Sequence, residues 1–180
     1  SLVPAVAGIA LDNDSIKTAV ALWLSDSAAA EAAYGHISTW ETSGVTDMSE
    51  LFASWNGGAA FNEYIGTWNT SGVTTMDTMF YGALAFNQDL GAWDTSGVTS
   101  MHYMFYGASA FDQDLGWCVD DDVNLLYAFL YTLCYSTSCG VVQGACVMDD
   151  STIGTAVAAW FSDPTAAEAT YGHISTWETG

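Results

Sequence analysis

Basic side chains are almost missing from this chain. Lys17 is the single Lys or Arg among 180 residues, against 21 Asp and Glu, giving a formal net charge of −20. Such a field repels phosphate polymers and anionic bilayers, which excludes nucleic acid and acidic membranes as partners. It suits divalent cations, a salt-rich medium or a cationic surface. Long apolar runs are lacking too. No stretch reaches the roughly 18 apolar residues of a membrane span, so no direct span is expected. A catalytic constellation is also missing, and the sequence predicts no enzyme. What remains is apolar and aromatic: 51% and 14% of the residues. That composition predicts a packed core rather than a disordered acidic tail.

The apolar residues recur at a fixed interval. Residues 65–89 read IGTWNTSGVTTMDTMFYGALAFNQD and residues 90–114 read LGAWDTSGVTSMHYMFYGASAFDQD, with 17 of 25 positions identical. Residues 37–64 form an earlier copy with three extra residues, expected to bulge at Ser54–Gly58. Leu115 onward is a degenerate fourth copy, with Trp117 slipped one place and Cys118 at the tryptophan position. A second repeat is longer. Residues 16–43 return as 153–180, offset by 137, with 21 of 28 positions identical. The chain thus reads as one module plus the start of another, cut from a longer array.

Such a period predicts an α/β, leucine-rich-repeat-like solenoid of short parallel strands and short helices. Within one copy, Leu90–Trp93 predicts a brief strand. Asp94-Thr95-Ser96 predicts a helix start. Val98, Met101, Met104 and Phe105 lie on one face of a helix that Gly107 ends. A solenoid must cap its ends. Asp14 or Ser15 is expected to open a capping helix bearing Ile16, Val20, Trp23 and Leu24, with a second helix from Asp26. The expected organisation is an N-terminal segment or the tail of a preceding module (1–13), a helical cap (14–36), repeats (37–117), a degenerate repeat and disulfide cap (118–150), and the start of the next module (151–180).

Cys118, Cys134, Cys139 and Cys146 lie close in sequence with no nearby histidine. Their even count predicts two disulfides and an oxidising compartment. Three pairings are open, and proximity favours Cys118–Cys134 with Cys139–Cys146. A four-thiolate zinc site is the rival, but no C-x-x-C spacing is present.

The run W-[DN]-T-S-G-V-T-x-M-x-x-M-F-Y-G-A-x-A-F-[ND]-Q-D resembles the repeat of BspA-like leucine-rich-repeat surface proteins, also found in mycoplasma lipoproteins. Similar repeats occur in large marine algal proteins. The resemblance covers residues 37–130. It implies surface display, adhesion and protein contact, and carries no catalytic residue. The cysteine cap departs from the bacterial pattern and points to a eukaryotic secreted version.

Stacking would turn repeat positions into ladders. Glu41, Asn69 and Asp94 share one position, and Asp89 and Asp114 another. Adjacent carboxylates repel unless a hard cation intervenes, so calcium is the ion these ladders would take. The competing reading has the acids facing water and the amides closing turns. No cofactor is required. Asp89 with Asp114 is the one repeated pair a glycosidase mechanism would use, and repetition argues against it. Sequons at Asn69 and Asn13 are candidate glycosylation sites. His36 and His173 occupy one repeated junction and read as structural, while His102 reads as exposed. Trp40, Trp68 and Trp93 read as core, and Tyr81 and Tyr106 as an outer face suited to a glycan or another chain. Trp23 and Trp160 are expected to pack the joint between modules. The function expected from these features is extracellular and structural, in a surface fibre, appendage or matrix whose copies meet end to end. The runner-up is a cell-surface adhesion module that binds a protein or glycan.

Overall fold

The computed structural model describes residues 9–144, 153–162, 164 and 165. The chain enters through α1 (Asn13–Ser25) and α2 (Ser27–Tyr34). The N-cap of α1 is Asp12, earlier than expected. Its carboxylate accepts the Ser15 N–H at 2.9 Å, and Ser15 Oγ accepts the Asp12 N–H at 2.8 Å, a reciprocal pair that satisfies two otherwise orphaned donors. Ile16, Ala19, Val20 and Trp23 form its buried stripe. Asp26 ends α1 and caps α2, its side chain accepting from Ala29 N–H at 3.0 Å. Gly35, at φ 79°, closes α2 in a region that suits glycine.

The expected solenoid of short strands and helices does not form. Among the described residues, paired strands are limited to β1 (Cys118–Val119) and β2 (Val142–Gln143), which are parallel. Between residues 40 and 117 the extended pairing shrinks to single-residue bridges, Asp47 to Thr75 and Thr75 to Ser100, and Ser100 continues to Asn124. The segment Leu90–Trp93 is a turn, closed by Trp93 N–H on the Leu90 carbonyl at 3.0 Å. The face of Val98, Met101, Met104 and Phe105 is buried, but no helix carries it.

What repeats is a chain of turns. In the copy starting at Ile65, three-residue reverse bonds join Trp68 to Ile65, Val73 to Thr70, Met79 to Met76, Tyr81 to Thr78, Ala83 to Phe80 and Phe86 to Ala83. Alternate N–H groups leave the copy altogether. Met76, Thr78, Phe80 and Gly82 donate to Ser100, His102, Met104 and Tyr106 of the next copy, at 2.8–2.9 Å. Two residues per copy are left-handed at matching places, Thr78 and Gly82, Tyr103 and Gly107, Tyr127 and Tyr131, with φ from 54° to 70°, and Glu50 takes the first of these places in the earlier copy at φ 65°. Each copy is therefore a flat layer, hydrogen-bonded to the layers on either side.

The core runs through these layers. Phe80 stacks on Phe52 at 5.4 Å and on Phe105 at 5.0 Å, and Phe86 stacks on Phe61 at 5.8 Å and Phe111 at 6.0 Å. These spacings match offset ring stacking across neighbouring layers. Each of these fully buried rings contributes roughly 1.5–3 kcal/mol by removal from water. The tryptophans form a second column. Trp40 stacks on Trp68 at 6.1 Å and Trp93 on Trp117 at 6.2 Å. Their indole N–H groups repeat one bond: Trp68 to the Ile37 carbonyl, Trp93 to Ile65, Trp117 to Leu90. The three extra residues of the first copy fold outward as the 3-10 turn Ser54–Asn56 followed by left-handed Gly57, leaving Trp55 exposed.

Candidate functional site

The acidic and amide positions of the expected ladders close turns. Glu41 accepts Ser43 N–H at 2.9 Å, Asn69 accepts both Ser71 N–H and Oγ, and Asp94 accepts Ser96 N–H at 2.9 Å and Oγ at 2.6 Å. Each side chain thus closes a turn in its own layer. The Ser43 backbone N–H holds Glu41 below its ordinary pKa, and the Ser96 hydroxyl does the same for Asp94. Asp89 and Asp114 accept from Gly91 and Gly116 N–H, at 2.8 and 3.3 Å. Among the described residues no cluster of three or more His, Cys, Asp or Glu is placed to hold a metal. Glu41 and Asp94 are exposed, and each commits one carboxylate oxygen to its own turn.

Amides bridge the layers. Asn62 Oδ1 accepts Asn87 N–H at 2.9 Å, and Asn87 Oδ1 accepts Asp112 N–H at 2.9 Å, with Gln88 and Gln113 side chains donating to the same asparagines. Asp77 also reaches forward, accepting from Ser100 Oγ and from His102 N–H at 2.8 Å.

The two sequons differ in their surroundings. Asn13 is a clamp. Its Nδ2 donates to Thr46 Oγ1 at 2.9 Å, and its Oδ1 accepts Thr46 and Asp47 N–H at 2.8 and 3.1 Å. Asn69 is exposed; its Oδ1 accepts from Ser71, and its backbone carbonyl accepts from Thr42 Oγ1 at 2.9 Å.

The disulfide expectation needs correcting in detail. Cys134 pairs with Cys139, not with Cys118. The tight segment Tyr135–Gly140, left-handed at Ser138 and Cys139, brings their Cα atoms to 4.7 Å. Cys118 is disulfide-bonded as well. Cys146 lies outside the described residues, as does His173.

Trp23 is used inside its own module. It meets Trp40 edge-on at 5.9 Å and His36 at 5.2 Å, with 8% of its surface exposed. His36 Nδ1 accepts the Ser38 N–H at 3.3 Å. Trp160 lies in α3 (Ile153–Ser162) and is half-buried, next to Phe161 at 86% exposure. His102 is half-buried against Tyr103 rather than free in water.

The outer aromatic face is larger than Tyr81 and Tyr106 alone. Tyr81 contacts Trp55 at 5.0 Å and Tyr106 at 4.9 Å, and Tyr106 meets Tyr131 at 5.2 Å. Tyr103 and Tyr127, 5.0 Å apart, run alongside. Burial raises the Tyr106 phenol, and the neighbouring Tyr131 and Tyr81 add to that. The signal that would have found these residues is the register: position 78 is threonine in one copy and tyrosine in the next two, at 103 and 127.

These features define a repeat protein of stacked turn layers with an aromatic flank. Residues 24–135 match a family described as Mycoplasma protein of unknown function, DUF285, and the chain belongs to that family, which is related to BspA-like repeat proteins. No curated protein and no solved structure matches the chain.

Proposed function

We propose that this protein is an extracellular architectural module, a secreted member of its family that builds a surface fibre, appendage or matrix from copies set end to end. The observation that carries this reading is the return of the cap sequence of residues 16–43 at 153–180, directly after a stack of layers that could accept more of its kind. Disulfide bonding supports an oxidising compartment. The charge of −20 supports a setting rich in salt or cations, where screening over about 10 Å at 0.1 M mutes self-repulsion. Asn69 is the better of the two glycan acceptors, since its exposed Nδ2 is spared by the turn it closes. Negative-stain microscopy of purified protein tests the reading: filaments with a regular repeat are expected, and dispersed short rods count against it.

A second reading is adhesion, favoured by the aromatic flank of Trp55, Tyr81, Tyr106 and Tyr131 spanning successive layers. A glycan ring or a partner's apolar side chain would lie across those faces.

A further inference from the structure

The layer stack has two chemically different ends. Each internal junction uses four alternate N–H groups of one layer and four carbonyls of the next, with a single bond running the other way (Thr74 N–H to Thr46, Thr99 to Thr74, Asn124 to Thr99). Met48, Glu50, Phe52 and Ser54 donate to Thr75, Asp77, Met79 and Tyr81, and the pattern recurs at the two following junctions. In the last layer the equivalent donors are Leu125, Tyr127, Phe129 and Tyr131. None of these N–H groups has an acceptor among the described residues. In the first layer the equivalent acceptors are the carbonyls of Asp47, Ser49, Leu51 and Ala53. The first three receive no donor among the described residues, and Ala53 accepts only from Asn56 and Gly58 in its own bulge. Unpaired backbone groups in a row are a template for another chain.

Both ends are recessed. The donor end lines a cleft of about 530 Å3 with Leu125, Tyr127, Phe129, Tyr135 and Val141, and none of the described residues lining it is charged. Leu126 at its rim is 53% exposed. The acceptor end lines a cleft of about 450 Å3 between the first layer (Asp47, Ser49, Leu51) and α1 (Lys17, Ala21, Leu24).

We infer that the donor end of one molecule docks on the acceptor end of a second copy, continuing the interlayer hydrogen-bond pattern across the joint. This rests on the architectural reading and names the surfaces that would carry it. The occupant is a second copy because that copy presents carbonyls at the same two-residue spacing the donors already use inside the stack. Donor against donor gives no bonds, so a symmetric dimer of like ends is not a solution. The contact is head-to-tail and does not close. Copies carrying −20 each repel at low salt, so assembly should grow as salt shortens the screening length to about 3 Å at 1 M.

Sedimentation velocity of the full 180-residue chain, across protein concentration and from low to 1 M salt, tests this with two variants. Leu126→Glu places a charge at the donor end, and Ala21→Glu places one in the acceptor cleft. Circular dichroism and thermal melting of each variant must match wild type. Where one does not, Leu126→Gln or Ala21→Gln replaces it. Wild type is expected to form an open series of oligomers in high salt, with each variant alone losing assembly. A 1:1 mixture should recover heterodimers and stop there, since each partner keeps one working end. A wild type that assembles while ignoring both substitutions overturns the edge pairing and leaves the architectural reading standing. A wild type that stays monomeric in 1 M salt overturns both. A mixture that recovers nothing overturns the head-to-tail geometry.

Discussion

Helix α1 and the segment from Met76 to Ala83 bury the same pattern and fold differently. In α1 the buried residues are Ile16, Ala19, Val20 and Trp23, and in the layer they are Met76, Met79, Phe80 and Ala83. Both spacings are three, one, three. Yet α1 satisfies its donors internally, while the layer sends every second N–H to a neighbour. Apolar spacing therefore says which side chains face inward, and it leaves open where the backbone donors go. That second question is decided by what lies alongside. The helix is at the end of the stack and has itself for a partner. The layer has another layer 25 residues on.

The largest test of this contrast is at the centre of the stack. Phe80 has no exposed surface and touches Phe52, Phe86, Trp93 and Phe105. Phe80→Ala should cost about 3–5 kcal/mol in urea unfolding, because stacked rings on both sides hold the cavity open. Trp23→Ala in the cap should instead melt α1 and α2 ahead of the layers, giving two fluorescence transitions. A single transition for Trp23→Ala would mean that cap and stack form one cooperative unit.

Glycine and alanine should act in opposite directions in the two regions. Gly82 is at φ 63°, and an added Cβ would lie 2.7 Å from Ser54 Oγ. Gly82→Ala should cost about 1–2 kcal/mol through left-handed strain and that contact. Ala21→Gly, in the exposed interior of α1, should cost about 1 kcal/mol from helix propensity alone. Equal tolerance of Gly82→Ala would show that the layer backbone can relax at this turn.

Thr78 offers a gain. It is a β-branched residue at φ 54°, a region such side chains rarely occupy. Asparagine tolerates that conformation better. Thr78→Asn should stabilise by about 0.5–1 kcal/mol, read as a shift of the urea midpoint with an unchanged slope. A loss of stability would mean that the Thr78 hydroxyl, which donates to the Asp77 carbonyl at 2.6 Å, contributes more than the strain costs.

How far the sequence carried can be read from these same residues. The 25-residue period located the core, since Trp68, Met76, Phe80 and Phe86 and their counterparts one copy on are buried. The bulge at Ser54–Gly58 and the helix after Asp26 were also legible, through glycine content and a capping aspartate. The secondary structure of the layers was not. A turn chain with left-handed residues at Thr78 and Tyr103 places no glycine there to announce it. At the candidate ladder of Glu41, Asn69 and Asp94 the shared register was legible, while the bond that each side chain makes to the serine two residues on was not read. The same Ser was visible in every T-S-G run, and an aspartate, asparagine or glutamate two residues before a serine N–H is a turn-closing pattern.

The smallest expected effect separates turn closure from charge repulsion. Asp94 is held below its ordinary pKa by Ser96, and Glu41 by Ser43. Asp47 is pushed up by partial burial, but hydrogen bonds from Ser49 and the Lys17 ammonium 3.3 Å away outweigh this and hold it low. For each, the folded protein binds protons less readily than the unfolded chain. Their contribution is therefore complete above the ordinary carboxylate range, near pH 4, and is lost as pH falls through the lower folded value. Protonation also relieves the repulsion of a −20 chain, which acts in the opposite sense. Salt divides the two. In 1 M salt the melting temperature should fall steadily below about pH 4, because screening at about 3 Å removes most of the repulsion and spares bonded contacts. In low salt the fall should begin later and be shallower. Asp94→Asn, which keeps an acceptor for Ser96 without titrating, should reduce the high-salt slope and leave the melting temperature at pH 7 nearly unchanged. An unaltered slope in that variant would assign the acid sensitivity to carboxylates other than the one that closes this turn.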